Sequence, residues 1–397
     1  MGIAPIFKDV QDSRDRRGLR YPIAVLVHAY IVAIESGCCT TLEVCEHLRN
    51  LALKERVHLG FTSGKTPCYA TWKHIMGHVL CPRDLNLIWQ RYSEAYISHT
   101  SKHKVQYCVD GKTSGASCDE EKQRPCHIVN VFCPSLSMTV GHIQSSKGRG
   151  EVEAARQLLS TLNLKDKVVT MDAMFTDEAL CTQIVEQGGF FVVQLKRNQK
   201  TIHEEISTYF NLTYDCWPDA LPQVKTVDKG HGRKETRHLR VVYKPFRLGG
   251  HDRFKTVKHV AHITKTRYRY RKKKIVERAQ QDSYLMTNLP PSPHLAQQLL
   301  SYSREHWLVE NRLHWQKDVT LREDQQPSRR TQSACNVALL NDIAVFVLET
   351  YRSLKGSTQS LARMTHEFTQ KAHKCITACK RVFSMLWNAT HGHKQYV

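Results

Sequence analysis

Acidic residues are scarce in this chain of 397 residues. Its 37 Asp and Glu stand against 58 Lys and Arg, a formal net charge of +21. That imbalance argues against an ordinary metabolic enzyme and calls for a polyanionic partner, nucleic acid before anionic membrane. Long apolar runs are missing too. The best, residues 21–34, is about 14 residues long and contains His28, short of the roughly 20 that a span needs, so it reads as a buried helix and no membrane partner is expected. No charged segment followed by an apolar one opens the chain, so no cleavable leader is expected. Among the 14 cysteines there is no CxxC pair; Cys38 and Cys39 are adjacent, and Cys375 and Cys379 stand one helical turn apart. The thiols therefore read as small core residues of a reduced, cytoplasmic protein, in preference to disulfides or a structural zinc site. HExxH is absent. Gln106 stands where a P-loop ending in Gly111-Lys112-Thr113 would need glycine. There is no internal repeat and no long low-complexity segment.

What is present is enough for two or three domains, with 41% hydrophobic residues to build their cores. Residues 1–100 read as a helical, DNA-binding domain. A basic entry at 13–20 precedes helices at 21–36 and 41–54, the second opened by a Thr-Thr cap with Glu43 behind it. Thr66-Pro67 predicts a third helix with proline at its first position and Thr71, Lys73 and His74 exposed, the form of a helix-turn-helix reader in which Lys73 meets DNA. From 101 to 200 the period changes. Strands are predicted at 105–110, 127–134 and 137–145, then a helix at 151–162, a buried strand at 167–173, a helix at 176–187 closed by Gly188-Gly189, and a strand at 190–196. Three meandering strands followed by helix, strand, helix, strand is the order of an RNase H-like core of the α/β class. In that layout the first and fourth strands are neighbours. Residues 201–289 read as a β-rich insertion. Within 221–280, 19 Lys and Arg face 4 Asp and Glu, a surplus of 15, and Tyr alternates with cations in RYRYRKKK at 267–274. Charge combined with stacking surface predicts a phosphate-backbone clamp. The core resumes at 290–355, and 356–397 forms a basic C-terminal helix.

Three carboxylates stand out. Asp110 and Asp172 each end an apolar strand-like run. Glu310 lies in Ser301–Asp324, which reads as one uninterrupted helix that puts His306, Glu310, His314 and Lys317 on one face. Carboxylates converging from two strand ends and a helix suit two Mg²⁺ ions about 3.5–4 Å apart, with Mn²⁺ able to substitute, for in-line phosphodiester chemistry. A single transition metal on His306, Glu310 and His314 is the rival, but three ligands over two helical turns splay too far for a tetrahedral site.

The residues also carry a resemblance. VDGKTSGAS (109–117), VVTMDAM (168–174), GGFFVVQLKRNQK (188–200), DKGHGRKETR (228–237) and REHWLVENRLHWQKDVTLRED (304–324) resemble the DDE transposases of the H-repeat-associated insertion-sequence family over nearly the whole chain. The resemblance implies an RNase H-like core with an insertion before the glutamate, and Asp110, Asp172 and Glu310 as the catalytic, metal-holding acids. It implies cleavage at element ends, then strand transfer of the 3′ hydroxyl into target DNA, by a homodimer assembled on DNA in the bacterial nucleoid. In the wider superfamily of hairpin-using transposases a tyrosine and an arginine precede the glutamate and a lysine follows it. Lys317 stands at that lysine position, His306 at the arginine position and Ser303 (beside Tyr302) at the tyrosine position, and Gly115 stands where a basic residue is expected after DGKT. Lys317 and His306 are expected on phosphate or terminal bases. Lys196, Asn198 and Gln199 are expected to line the DNA groove, and His231, Arg233 and Arg237 to add contacts from the insertion. The alternatives are a nuclease that cuts without joining and a domesticated protein that only binds DNA.

Overall fold

The computed structural model describes residues 5–15, 19–101, 104–118, 125–145, 149–212, 222–230, 232–244, 253–271, 274–326 and 330–392. The chain forms two compact units that do not follow its order: Met1–His103, Asp110–Leu158 and Leu308–Val397 make the first, Lys104–Val109 and Leu159–Trp307 the second.

The first unit is mainly helical. α1 (Ile23–Glu35), α2 (Thr41–Asn50), α3 (Leu53–His58), α4 (Tyr69–His74) and α5 (Pro82–Thr100) come from its N-terminal part. The cap on α2 is the one its sequence predicts: Thr40 Oγ1 accepts from Glu43 N at 3.1 Å while the Glu43 carboxylate accepts from Thr40 N. Pro67 does not open α4, which starts two residues later and passes into a π-helical turn at Ile75–Val79. β2 (Pro125–Cys133) and β3 (Met138–Ser145) pair antiparallel with a register shift after Val131. α10 (Thr331–Leu354) is the central helix of this unit, and Val337, Leu340, Ala344 and Val347 are all buried as its periodicity predicts. By length and mean hydropathy α10 could cross a bilayer, which the search for apolar runs missed; 83% of its apolar window is buried in protein, as in a core helix. The expected single C-terminal helix is two, α11 (Leu361–Gln370) and α12 (Ala372–His391), broken at Lys371. Phe346 of α10 meets Trp89 and Tyr96 of α5, and Trp387 of α12 stacks on Tyr92.

The second unit is built on a sheet. β1 (Gln106–Cys118) enters it with its first four residues, parallel to β4 (Val168–Met171) from Gln106↔Val168 to Val109↔Met171. The first and fourth strands are thus neighbours, as expected. β5 (Phe190–Leu195) lies parallel to β4. The basic residues then form β6 (Gln223–Gly230), β7 (Arg233–Tyr243), β8 (His259–Arg271) and β9 (Lys274–Thr287), an antiparallel series that joins the same sheet through β9 and β5. α7 (Glu178–Glu186) and α8 (Lys200–Leu212) are the linking helices of this unit, whereas α6 (Arg149–Ser160) belongs to the first unit through Leu158. α9 (Leu295–His306) lays Leu295, Ala296, Leu299 and Leu300 against Leu239, Val241, Ala261 and Leu285. The spacing i, i+1, i+4, i+5 is one helical stripe, and the strand residues alternate, so each element buries one face.

The Glu310 region is not the single α-helix that its sequence suggests. α9 stops at His306, and Val309–His314 and Gln316–Thr320 are π-helical. A π turn widens the repeat beyond 3.6 residues. Val309, Leu313, Lys317 and Thr320 become the buried side, while Glu310, Asn311, Trp315 and Val319 are exposed. Lys317 therefore leaves the face of Glu310.

Candidate active site

In the first unit, Asp110 lies within β1, which runs on to Cys118 instead of ending at the acid. Its Oδ1 accepts from Gly111 N at 2.9 Å, and its Oδ2 lies 3.5 Å from His314 Nδ1. Burial, with the nearby charges of Lys317 and Lys112, pushes His314 down to about 3, so its imidazole is neutral; its Nε2 is buried with no hydrogen-bond partner among the described residues. Lys112 Nζ reaches Asp318 Oδ1 at 2.5 Å and ties β1 to the π-helical segment that carries Glu310. On the other face of the strand, Gly111 leaves no room for a side chain: a Cβ there would stand 2.8 Å from His127 Nε2. That imidazole is held 2.5 Å from Glu151 Oε1 and 2.7 Å from Thr113 Oγ1. Sequence reading overlooked His127 and Glu151, because nothing in their local pattern sets them apart from a strand residue and a helix start.

Lys317 requires a correction. It is 1% exposed, its Nζ lies 2.8 Å from Asp342 Oδ1 and 3.1 Å from Glu323 Oε2, and Asn341 Nδ2 donates to Glu323 Oε2 at 2.9 Å. Burial alone would lower the lysine, but Asp342 and Glu323 outweigh it and hold the ammonium above the usual lysine value. His142 Nδ1 lies 3.4 Å from the other Asp342 oxygen. This is a buried ion network, and it withholds Lys317 from DNA.

In the second unit, Asp172 follows β4 and immediately precedes a short 3-10 turn at Ala173–Phe175. Lys196 Nζ spans both its oxygens at 2.9 and 3.1 Å. Asn198 Nδ2 donates to Ala173 O at 2.7 Å, and Gln199 Nε2 to Thr176 O at 2.9 Å. Their amides brace the loop after Asp172, a role that differs from the expected lining of a DNA groove. His306 is also corrected. Burial pushes it down to about 4 against the pull of Asp172, and Nδ1 meets Thr170 Oγ1 at 3.0 Å, so it offers no positive charge to phosphate at neutral pH. Gln106 Nε2 links Thr170 Oγ1 to Tyr302 O, each at 2.9 Å. Ser303 is half-buried beside Tyr302. Arg237 is held by Asp228 and Glu235, and Asp228 also meets Arg304 at 3.3 Å, so its guanidinium is committed within the sheet. Arg233 is exposed at the start of β7, opposite Arg269. Lys73, in the first unit, is exposed on α4. His231 lies outside the described residues.

Comparison with known proteins decides the family. The model of the family described as "Transposase DDE domain" matches residues 98–343, more than half of the chain. The chain belongs to the DDE transposase family. The H repeat-associated putative transposase YhhI of Escherichia coli K12 is 27% identical over 281 residues, covering 69% of this transposase and 73% of that protein. The putative transposase YncI of E. coli O157:H7 is 24% identical over 278 residues, 69% of each chain. A piggyBac transposase from a synaptic complex with hairpin DNA covers 98% of the transposase and 78% of its own chain, at 10% identity and a TM-score of 0.38, too distant to carry the fold. Family membership makes the transposase a DNA-cleaving and strand-transferring enzyme that works with divalent metal ions.

Proposed function

We propose that Asp110, Asp172 and Glu310 are the three acids of an RNase H-like DDE site, and that the enzyme cuts DNA at element ends and joins the freed 3′ hydroxyl to target DNA. One observation carries the reading: Val109 and Met171 are registered partners on the parallel strands β1 and β4, and Asp110 and Asp172 are the next residues of those strands. Glu310 is exposed on the π-helical segment, four residues beyond His306.

The donor set fits Mg²⁺. Three carboxylates supply hard oxygens and leave room for waters. When bound, divalent ions in such a site activate the attacking oxygen and stabilise the leaving one. Lys196 spans both Asp172 oxygens, so its ammonium would have to release them for a cation to be held there. Gly111 N and His314 orient the Asp110 carboxylate, and the Lys112–Asp318 pair holds the π-helical segment to β1.

The DNA surface we assign to the far ends of β8 and β9. Lys274–Gln281 is exposed throughout and Lys265–Arg271 carries exposed Arg267, Arg269 and Arg271; Arg267, Tyr268, Arg269 and Arg271 lie opposite Ala279, Arg278, Glu277 and Lys274, and the Arg278 guanidinium stacks 5.9 Å from the Tyr268 ring. Such a ribbon offers phosphate contacts and stacking faces together. Two element ends have to be cut in step, which calls for a homodimer on DNA.

The test is Mg²⁺-dependent cleavage and joining of labelled DNA carrying the flanking sequence of the gene, with wild type beside Glu310→Gln. Wild type should cut and join, and the variant should bind but do neither. Cutting without joining would assign a nuclease instead. Binding alone by both proteins would make the carboxylates structural.

A further inference from the structure

α1 is apolar for nearly its whole length and ends on a glutamate. Glu35 is 0% exposed, and burial pushes its carboxyl up to about 8. Its Oε2 is 3.0 Å from Cys379 Sγ and 3.3 Å from Cys375 Sγ, both on α12 and both buried, while Oε1 is buried with no hydrogen-bond partner among the described residues. Neither protonation state of this carboxyl is satisfied. Ionised, it is a buried anion that accepts from two thiols among the described residues, at the end of a helix where the backbone dipole already places partial negative charge. Protonated, its hydroxyl has no acceptor on the Oε1 side. The thiol of Cys375 is over-subscribed as well, since its single proton faces both Glu35 Oε2 and Val32 O at 3.5 Å.

A cation removes all of these defects together. We propose that Glu35, Cys375 and Cys379 form a structural site for a soft divalent metal ion of the zinc type, which clamps the end of α1 to α12. The three donor atoms lie within 4.8 Å of one another. Zinc bonds of about 2.3 Å to sulfur and 2.0–2.2 Å to oxygen at tetrahedral angles put sulfur and oxygen roughly 3.5 Å apart, so the observed spacings need only a few tenths of an ångström of adjustment. Cys375 and Cys379, at i and i+4, present both sulfurs on one face of α12. The fourth position falls to Val32 O, beside Cys375, or to Cys38, which lies within electrostatic range of the Cys375 sulfur. Binding breaks two S–H bonds and one O–H bond, forms two metal–sulfur bonds and one metal–oxygen bond, and releases three protons to solvent. The site is separate in chemistry from the Mg²⁺ carboxylates, because thiolates select soft ions.

The experiment uses the full-length protein, purified without chelator, dialysed against Mg²⁺ and analysed for metal. About one equivalent of zinc should remain. The Co²⁺-substituted protein should show intense thiolate-to-cobalt charge-transfer absorption, which oxygen ligands alone do not produce. Cys375→Ala/Cys379→Ala should abolish that band, Glu35→Gln should weaken retention at least about tenfold, and Cys38→Ser should shift the band only if Cys38 is the fourth donor. Absence of both retained zinc and the cobalt band in wild type would overturn the proposal without reference to any variant. So would a folded Glu35→Gln/Cys375→Ala/Cys379→Val protein with unchanged metal content.

Discussion

Lys317 shows how far a single position can depart from its motif. It stands at the position where the sequence motif led to a DNA-binding lysine, yet its ammonium is buried between Asp342 and Glu323. Removing one member of a buried ion group leaves the others unpaired, which costs about 3–5 kcal/mol. Lys317→Met should therefore lower unfolding free energy by about that much in urea titration, with the salt dependence of DNA binding unchanged. A normal midpoint with a shallower salt slope would return Lys317 to the DNA. For the acids the expectation runs the other way. Asp110→Asn, Asp172→Asn and Glu310→Gln should each lower cleavage by about a thousandfold or more, and the double variants hardly further, because groups that act as a unit are not additive. Single-turnover cleavage at saturating DNA measures this.

Among the elements, the β8–β9 ribbon carries the plainest consequence. Each arginine that meets a phosphate adds about 0.9 to the slope of log affinity against log salt. Arg267→Gln/Arg269→Gln/Arg271→Gln should flatten that slope by up to about 2.7 and leave the thermal midpoint nearly unmoved, since all three sit on the exposed part of the ribbon. An unchanged slope would show that the surplus charge serves only solvation. The π-helical segment is the other informative element. Pattern reading assumed 3.6 residues per turn, and the wider winding at Val309–Thr320 redistributed the faces. No composition signal marks a π turn, because it is fixed by backbone hydrogen bonding under tertiary packing.

For the whole molecule, pH acts through buried groups of opposite sense. Burial pushes His28, packed between Phe7 and Phe383, down from 6.5 to about 3, and depresses His259 and His262. A depressed histidine contributes stability above its unfolded value, and this is lost as pH falls from 6.5 towards the folded value. Glu35 is raised from 4.5 to about 8, so its contribution is present below 4.5 and lost as pH rises towards 8. The two kinds oppose each other between 4.5 and 6.5, where the histidines are more numerous. Metal-free protein should be most stable near pH 6.5. His28→Phe should make the acid limb shallower. Zinc should remove the fall between 6.5 and 8, because metal-bound Glu35 no longer takes up a proton. Chemical denaturation across pH, with and without zinc, tests each part.

The amino-acid order by itself determined the family, the α/β class, the adjacency of β1 and β4, the basic β-rich stretch and the three candidate acids. These rest on periodicity, charge and long motifs, all of which are local in the chain. Only the tertiary structure decided that Lys317 is buried, that His306 and His314 are neutral, that Asn198 and Gln199 brace the loop after Asp172, and that Glu35 meets Cys375 and Cys379 across 340 residues of sequence. The physical reason is that burial and pairing are set by residues far apart in the chain. A side chain's charge and reach then depend on neighbours that no local pattern names.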